Sequence, residues 1–150
     1  MILRILHLSD FHFRALENNP VKSFNADMVT TSMLKAIEKL VNEGAVIDLV
    51  IFTGDIAFSG KKAEYEVAEE FFMRLREVTK LSTSSFFLVP GNHDVDRKKV
   101  KNFHRSTWYL FKNQDEITTI LADEDLFPIL MKKFTEYNTG IDDTCVRRPY

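Results

Sequence analysis

The sequence predicts an α/β fold with a parallel sheet, because strand and helix patterns alternate over residues 1–97. Three short apolar runs, residues 2–8, 47–52 and 86–89, have the length and composition of buried strands. Two segments with apolar residues at helical spacing separate these runs. A strand–helix–strand–helix–strand order at this spacing predicts a βαβαβ unit whose three strands are parallel.

The two helices are predicted from their apolar positions. Residues 13–26 should form a loop. The first helix should follow it, beginning at Asp27, which can cap a helix, and ending at Gly44. Its apolar positions are Val29, Met33, Leu34, Ile37, Leu40 and Val41. Those of the second helix are Val67, Ala68, Phe71, Phe72, Leu75 and Val78. After residue 97 the pattern is helical only, at residues 100–111, 117–121 and 129–137.

The composition predicts one globular domain over residues 1–150. The hydrophobic fraction of 45% is ordinary for a globular protein, and the net charge of −2 gives no general reason to expect nucleic-acid binding. The lone cysteine, Cys145, cannot form an internal disulfide, which suits a reducing cytoplasm. The sequence lacks both a signal-peptide pattern and the roughly 18 successive apolar residues of a membrane helix. We therefore expect a cytoplasmic protein without a membrane partner.

Each predicted strand is followed by residues that can bind metal ions. These follow-on sequences are Asp10-Phe11-His12, Gly54-Asp55 and Gly91-Asn92-His93-Asp94. In an open parallel sheet, ligands bind outside the carboxyl ends of the strands. The three sequences are therefore expected to meet at one edge of the sheet.

The chemistry of these side chains indicates a transition-metal site. Asp10 and His12 are two residues apart, so in extended chain both would point to one side, with Phe11 facing the protein. The Asp55 carboxylate has two oxygens and can bridge two cations, while Asn92 offers a neutral oxygen. Mixed nitrogen and oxygen ligands favour Mn, Fe, Zn or Co over Ca. Two such metals about 3.5–4 Å apart are a known arrangement for hydrolysing phosphate esters.

The same residues resemble the first three motifs of the calcineurin-like metallophosphoesterases. That family has D-x-H, then G-D-x-x-x-x-G, then G-N-H followed by Asp or Glu, and this chain carries all three in order within residues 1–97. The resemblance implies a sandwich of two sheets flanked by helices, of which this chain would hold the βαβαβ half and a helical segment. It also implies hydrolysis of a phosphodiester by a hydroxide that bridges two metal ions.

The resemblance further implies a role for each motif residue. Asp10 and His12 would bind the first metal. Asp55 would bridge both metals, and Asn92 would bind the second. His93 would lie at the leaving-group oxygen, as a general acid or a stabiliser of charge, rather than bind metal.

Differences from the family narrow the expected activity. Phosphoprotein phosphatases of the family have Asp and Arg where this chain has Phe58 and Ser59, so the carboxylate that supports the catalytic histidine is missing. This favours the bacterial phosphodiesterase branch, which acts on substrates that include cyclic nucleotides and nucleic acids. Asp94 is then expected to orient the ring of His93.

The later histidine motifs of the family are absent. Two further histidines are present, of which His7 is expected in the core or at a sheet edge and His104 on the surface. We therefore expect a truncated domain, with residues 1–97 as the core and residues 98–150 as a helical cap or tail. The missing half would leave apolar surface, to be covered by the tail, by further chain or by a partner such as a second copy.

Two other functions stay open. An incomplete site would suit a non-catalytic binding module that docks a partner. A nuclease acting on DNA or RNA would bind through the basic run and lose affinity as salt rises. This run is either a solvated helix face or a phosphate-binding patch, and its residues are Arg97, Lys98, Lys99, Lys101 and Arg105.

Overall fold

A computed structural model of the protein describes residues 2–15, 20–98 and 113–141, without the side chains of residues 20–27. Three strands, β1 (Ile5–Leu8), β2 (Leu49–Thr53) and β3 (Phe86–Val89), form one parallel sheet in the order β1-β2-β3. The predicted α/β class and parallel sheet are confirmed. The third strand has its predicted bounds, whereas the first begins three residues later than predicted and the second is shifted toward Thr53.

Helices α1 (Pro20–Asn42) and α2 (Lys62–Thr79) connect these strands and pack against each other. Side chains that alternate along the strands face them and form a single apolar core with them. The strand residues of this core include Leu8, Val50, Phe52, Phe86 and Leu88, and the helix residues include Leu34, Ile37, Phe71, Phe72 and Leu75. All predicted apolar positions of α2 belong to this core or pack against it. In α1 the prediction holds for Met33, Leu34, Ile37 and Val41, whereas Val29 (66%) and Leu40 (55%) are exposed.

The start of α1 differs from the prediction. The helix begins at Pro20, so Asp27 lies inside it and does not cap it, and the loop expected over residues 13–26 is wrong from residue 20 onward. Proline suits the first helical position because its φ is already helical and it has no N–H that needs a partner. The end of the helix is confirmed, since Gly44 follows with a φ of 95° and donates its N–H to the Val41 carbonyl at 3.0 Å.

The start of α2 is fixed by a buried carboxylate, that of Glu64. It accepts hydrogen bonds from the Ser59 N–H (2.9 Å), the Ser59 hydroxyl (2.8 Å) and the Lys61 N–H (3.1 Å). A carboxylate at this place satisfies backbone donors that a helix start leaves free. The loop between β2 and α2 is therefore tied to the first turn of the helix.

Residues 113–141 are mainly helical, as predicted. They form α3 (Gln114–Ala122), α4 (Leu126–Met131) and α5 (Thr135–Gly140), with a short 3₁₀ turn at Lys132–Phe134. The helical period predicted over 129–137 is thus divided between two helices and this turn. The helix expected over 100–111 lies outside the described residues. Within the described part of the chain, no helix is long and apolar enough to cross a membrane.

Helix α5 packs against α2 and is fixed to the sheet by a buried tyrosine. The Tyr137 hydroxyl donates to the Leu88 carbonyl at 2.9 Å, and its ring meets that of Tyr65 edge to face, 6.2 Å between centroids. Gly140 lies against Tyr65, where an added Cβ would come within 2.8 Å of the tyrosine Cβ. The last described helix is therefore part of the packed molecule.

The second face of the sheet is left open by the described residues. Side chains there include Ile5 (48% exposed), Phe87 (39%) and Val89 (41%). His7 is on the same face, where its Nε2 lies 2.7 Å from the Thr53 hydroxyl, and this placement on an outer strand confirms the sheet-edge alternative for His7. Parallel sheets are usually covered on both faces. We call this surface the open sheet face.

Candidate metal centre

The loops that follow the three strands are tied together by backbone hydrogen bonds. The Asp10 N–H donates to the Gly54 carbonyl at 3.3 Å, and the His12 N–H donates to the Asp55 carbonyl at 2.9 Å. The Gly54 N–H in turn donates to the Val89 carbonyl at 2.8 Å. The carboxyl ends of the parallel strands thus meet at one edge, as the sequence predicted.

Three residues of these loops have an uncommon backbone conformation. Asp10, His12 and Asp55 have φ values of 58°, 50° and 52°, in the left-handed region that residues with side chains rarely adopt. Such conformations cluster at functional sites, where surrounding contacts hold them. Asp10 and His12 are therefore not in extended chain, so the argument that their side chains share a side by strand alternation is wrong.

Phe11 fixes the loop between those two residues, as predicted. Its ring lies 5.0 Å from the rings of both Phe52 and Phe71, measured between centroids. The ring is partly buried and packs against the core, which leaves the residues on either side of it at the sheet edge.

The side chains of His12, Asp55 and His93 come together into a group that could hold a metal ion. One donor atom from each lies within 4.8 Å of the other two. The His12 Nε2 is 3.9 Å from an Asp55 carboxylate oxygen, and the two imidazole rings are 4.6 Å apart between centroids. The His12 Nδ1 is buried and has no hydrogen-bond partner within the described part of the chain. The His12 ring, with its Nδ1 unpaired and its Nε2 near a carboxylate oxygen, fits a transition-metal ligand set.

His93 is held in place by two contacts. Its ring Nδ1 donates to the Phe58 carbonyl oxygen at 2.7 Å, and its backbone N–H donates to an Asp55 carboxylate oxygen at 2.9 Å. Because a carbonyl oxygen only accepts, Nδ1 carries the hydrogen and Nε2 is the ring nitrogen available for chemistry. The Phe58 carbonyl thus fixes the orientation of the His93 ring.

Two glycines allow the loops to approach each other. An added Cβ at Gly91 would overlap the backbone nitrogen and the carboxylate of Asp55, and one at Gly54 would lie 3.0 Å from the Gly91 Cα. Gly54 also has a φ of 82°. The motif glycines are therefore required by the distance between loops as well as by the turn.

Asp94 connects the second and third loops from a fully buried position. Its carboxylate accepts from the N–H groups of Ile56 (3.1 Å), Ala57 (2.8 Å) and Gly91 (2.8 Å), and from the Tyr65 hydroxyl (2.9 Å). The expectation that Asp94 orients the ring of His93 is therefore wrong, because its oxygens bind the loop backbone instead.

Burial shifts two pKa values at this carboxylate. Loss of solvation raises the pKa of Asp94, and the hydrogen bonds from Ala57, Gly91, Tyr65 and Ile56 oppose that rise. The pKa of the Tyr65 hydroxyl is raised as well, chiefly by burial and then by the charge of Asp94. Tyr65 is therefore a permanent hydrogen-bond donor to Asp94.

Two of the predicted ligands lie at the edge of this group. Asp10 is exposed, and its carboxylate accepts a hydrogen bond from the hydroxyl of Ser9. Asn92 is exposed between Gly91 and His93. Metal binding by Asp10 and Asn92 stays a prediction, as does the exclusion of His93 from the ligands.

Sequence reasoning missed Arg14, whose guanidinium carbon lies 3.0 Å from the centre of the Phe58 ring. Arg14 follows the first motif by two residues, but no sequence pattern indicates which ring it covers.

Most of the basic run lies outside the described residues, namely Lys99, Lys101 and Arg105, and so does His104. At the start of the run, Asp96 accepts a hydrogen bond from the Lys98 N–H at 2.9 Å, which forms a local turn.

Bacterial phosphodiesterases are among the similar proteins. A probable glycerophosphodiester phosphodiesterase of Arcobacter nitrofigilis is 27% identical over 125 residues, 83% of this chain and 40% of that protein. A glycerophosphodiester phosphodiesterase of Enterobacter lignolyticus is 33% identical over 96 residues, 60% of this chain and 29% of that protein. A 3',5'-cyclic-nucleotide phosphodiesterase of Nostoc sp. is 24% identical over 127 residues, 77% of this chain and 44% of that protein.

The chain thus spans less than half the length of each of these relatives. The family model of the calcineurin-like phosphoesterases matches residues 3–145, nearly the whole chain. This match agrees with the three loop motifs and with the parallel sheet that brings them together. The chain belongs to the calcineurin-like phosphoesterase family.

Proposed function

We propose that the protein hydrolyses phosphodiesters with the help of two divalent metal ions. The observation that carries the proposal is the convergence of His12, Asp55 and His93 at the sheet edge. The phosphodiesterase names of the relatives support the reaction class. The lone Cys145 supports a reducing compartment such as the cytoplasm.

The metal ions would be held by His12 and Asp55 first. The left-handed turn at Asp10 and the exposed amide of Asn92 lie beside these two residues, and we assign both to the ligand set. The nitrogen and oxygen donors favour Mn, Fe or Zn. Such ions, when bound, supply Lewis acidity and an activated water at neutral pH.

His93 would assist the leaving group. When the oxygen of water attacks phosphorus, the bond from phosphorus to the leaving-group oxygen breaks and that oxygen gains negative charge. The Nε2 of a protonated His93 can give its proton to this oxygen, because the Phe58 carbonyl already occupies Nδ1. The backbone bond from His93 to Asp55 keeps the imidazole beside the metal ligands during this step.

A diester fits the site better than a monoester. A phosphate monoester carries an additional negative charge, and the arginine that grips it in related phosphatases is replaced by Ser59. The Ser59 hydroxyl is used within the fold, where it donates to the Glu64 carboxylate at 2.8 Å. The loop therefore presents no arginine at that position.

Hydrolysis of bis(p-nitrophenyl) phosphate with added Mn²⁺ tests the proposal. Asp55→Asn should lower the rate at least about 100-fold. Mutating a residue that only hydrogen-bonds to a metal ligand already lowers metal affinity or activity 10–100-fold, so loss of a ligand should cost more. Glu66→Gln, which removes an exposed carboxylate on α2 far from the motif residues, should leave the rate unchanged. Equal activity in the parent and Asp55→Asn would contradict the metal centre.

A further inference from the structure

An open cavity of about 230 Å³ lies directly beside the metal-binding group. Its apolar wall is formed by the ring of Phe58 and the side chain of Val95, and His93 forms part of the same wall. His93 thus belongs both to this cavity and to the group with His12 and Asp55. We call it the His93 cavity.

The cavity carries uncompensated positive charge. Lys61, Arg97 and Lys98 line it, against a single carboxylate, that of Asp96. Asp96 already accepts the Lys98 backbone N–H at 2.9 Å. None of the three cationic side chains forms an ion pair with a carboxylate in residues 2–15, 20–98 or 113–141.

The backbone positions of two of these cationic residues are fixed by contacts within the fold. Lys61 is half-buried at the start of α2, where its N–H donates to the buried Glu64 carboxylate at 3.1 Å. Arg97 follows the third motif by three residues, on a segment that Gly60 fixes, since an added Cβ there would lie 2.6 Å from the Asp96 backbone nitrogen. The cations are thus presented by the same loops that build the metal centre.

We infer that the His93 cavity binds an anionic group carried by the leaving group of the diester, such as a second phosphate. The inference rests on the proposed function, which places the leaving group beside His93. A second phosphate on that side would meet the half-buried Lys61 and the exposed Arg97, and hydrogen bonds between charged groups are stronger than those between neutral ones. A neutral leaving group such as glycerol would leave these cations unused.

The shared chemistry of such a ligand is a phosphate attached to an alcohol, and it can come from a nucleotide chain or from a phosphorylated polyol. Rates for a thymidine dinucleotide are therefore compared with those for the same dinucleotide bearing a terminal phosphate at its 5' or its 3' end. In a parallel arm, a glycerol phosphodiester is compared with its counterpart carrying a second phosphate on the glycerol. A preference in one arm alone identifies the source.

The intact protein with Mn²⁺ should hydrolyse a terminally phosphorylated substrate in at least one arm with a kcat/KM about tenfold above its unphosphorylated partner. Lys61→Ala and Arg97→Ala should bring the two kcat/KM values together, chiefly by lowering that of the phosphorylated substrate. Lys62→Ala is the matched control, because that lysine is exposed and pairs with Glu66 on α2. Equal rates with and without the added phosphate in both arms would overturn the inference.

A binding measurement separates this inference from the proposed function. With EDTA present, calorimetry should show thymidine 3',5'-bisphosphate binding at least fivefold more tightly than thymidine 5'-phosphate, and Lys61→Ala should remove the difference. If no substrate is hydrolysed but this difference is found, the catalytic proposal fails and the cavity assignment stands. If diesters are hydrolysed but the two nucleotides bind equally, the cavity assignment fails alone.

Discussion

His93 has two distinct sets of contacts. Its ring Nδ1 and its backbone N–H are both occupied, by Phe58 and Asp55, so the only ring atom left for chemistry is Nε2. The same ring lies 4.6 Å from that of His12. His93 could therefore serve as a proton donor to the leaving group or as a metal ligand, and these roles differ in what happens when the ring is removed.

His93→Asn should reveal a proton donor. For diesters with an alkyl leaving group, kcat should fall by roughly 10²–10⁴-fold, the usual contribution of general acid catalysis. The fall should be much smaller for bis(p-nitrophenyl) phosphate, whose leaving group needs no proton. Manganese content, measured by elemental analysis after gel filtration, should not change. A loss of metal with an equal loss of rate on both substrates would make His93 a ligand instead.

Asp94 acts on stability through its buried carboxylate. Asp94→Ala should lower the free energy of unfolding by about 3 kcal/mol or more, since it leaves buried backbone donors of Ile56, Ala57 and Gly91 unpaired. Asp96→Ala is the control, because that carboxylate accepts one exposed hydrogen bond. This substitution should lower the free energy of unfolding by less than about 1 kcal/mol.

The effect of Asp94→Ala should also depend on pH. Because burial raises the pKa of Asp94 above 3.8, the native state binds more protons than the unfolded state between 3.8 and the raised value. The free energy of unfolding supplied by Asp94 therefore falls as pH rises through that interval. Urea titrations at several pH values should show the cost of Asp94→Ala shrinking as pH rises. A cost that grows with pH would show that the hydrogen bonds outweigh burial.

The sequence predicted which residues would meet but not how they would be held. Asp55 and His93 could be placed at one edge because parallel strands end together. The contacts of Asp94 could not be placed, because they join loops 37 and 38 residues apart whose conformations depend on each other. The left-handed backbone conformation of His12 could not be predicted either, because a glycine is the usual sequence sign of such a conformation and none stands there.

Among the elements, α1 and α5 show the limits of periodicity. The predicted apolar repeat of α1 begins at Val29 and omits Val21, Phe24 and Met28, which are themselves at helical spacing in the turns that follow Pro20. The repeat over 129–137 indicated helix but not that the chain would bend at Lys132–Phe134. Apolar spacing indicates which residues share one side of a helix, but not where one short helix ends and the next begins.

The docking of α5 can be tested at its last residue. Gly140→Ala should lower the free energy of unfolding by about 1–3 kcal/mol, the usual cost of overpacking, because the new methyl group would meet the Tyr65 side chain. Thr139→Ala is the control, since that side chain is exposed and bonds only within its helix. Urea denaturation followed by tyrosine fluorescence measures both. Equal stabilities would show that α5 does not pack on α2 in solution.

In the described part of the molecule, helices cover one face of the sheet and leave the other exposed. Strand alternation buries Val50, Phe52 and Leu88 under the two long helices and turns their neighbours outward. The pairing of His7 with Ile51, and of Ile51 with Phe87, places these residues in one row across the open sheet face. Contiguous apolar surface of this kind is typical of a protein–protein interface rather than of a solvent-exposed surface. The expectation of a truncated domain predicted such a surface, but not which strand residues would form it.

We expect the isolated chain to self-associate through the open sheet face. Phe87→Lys should shift the molecule toward the monomer in sedimentation velocity, because it places a charge in the row that His7, Ile51 and Phe87 form across that face. The fold should tolerate the change, since the Phe87 side chain is 39% exposed and lies outside the core. Met73→Lys is the matched control, because Met73 is a comparably exposed apolar residue on α2, at 45%. If both variants sediment as the parent does, the face does not drive association. If Met73→Lys alone dissociates the protein, the contact lies on the helical side and the apolar sheet surface is tolerated in water.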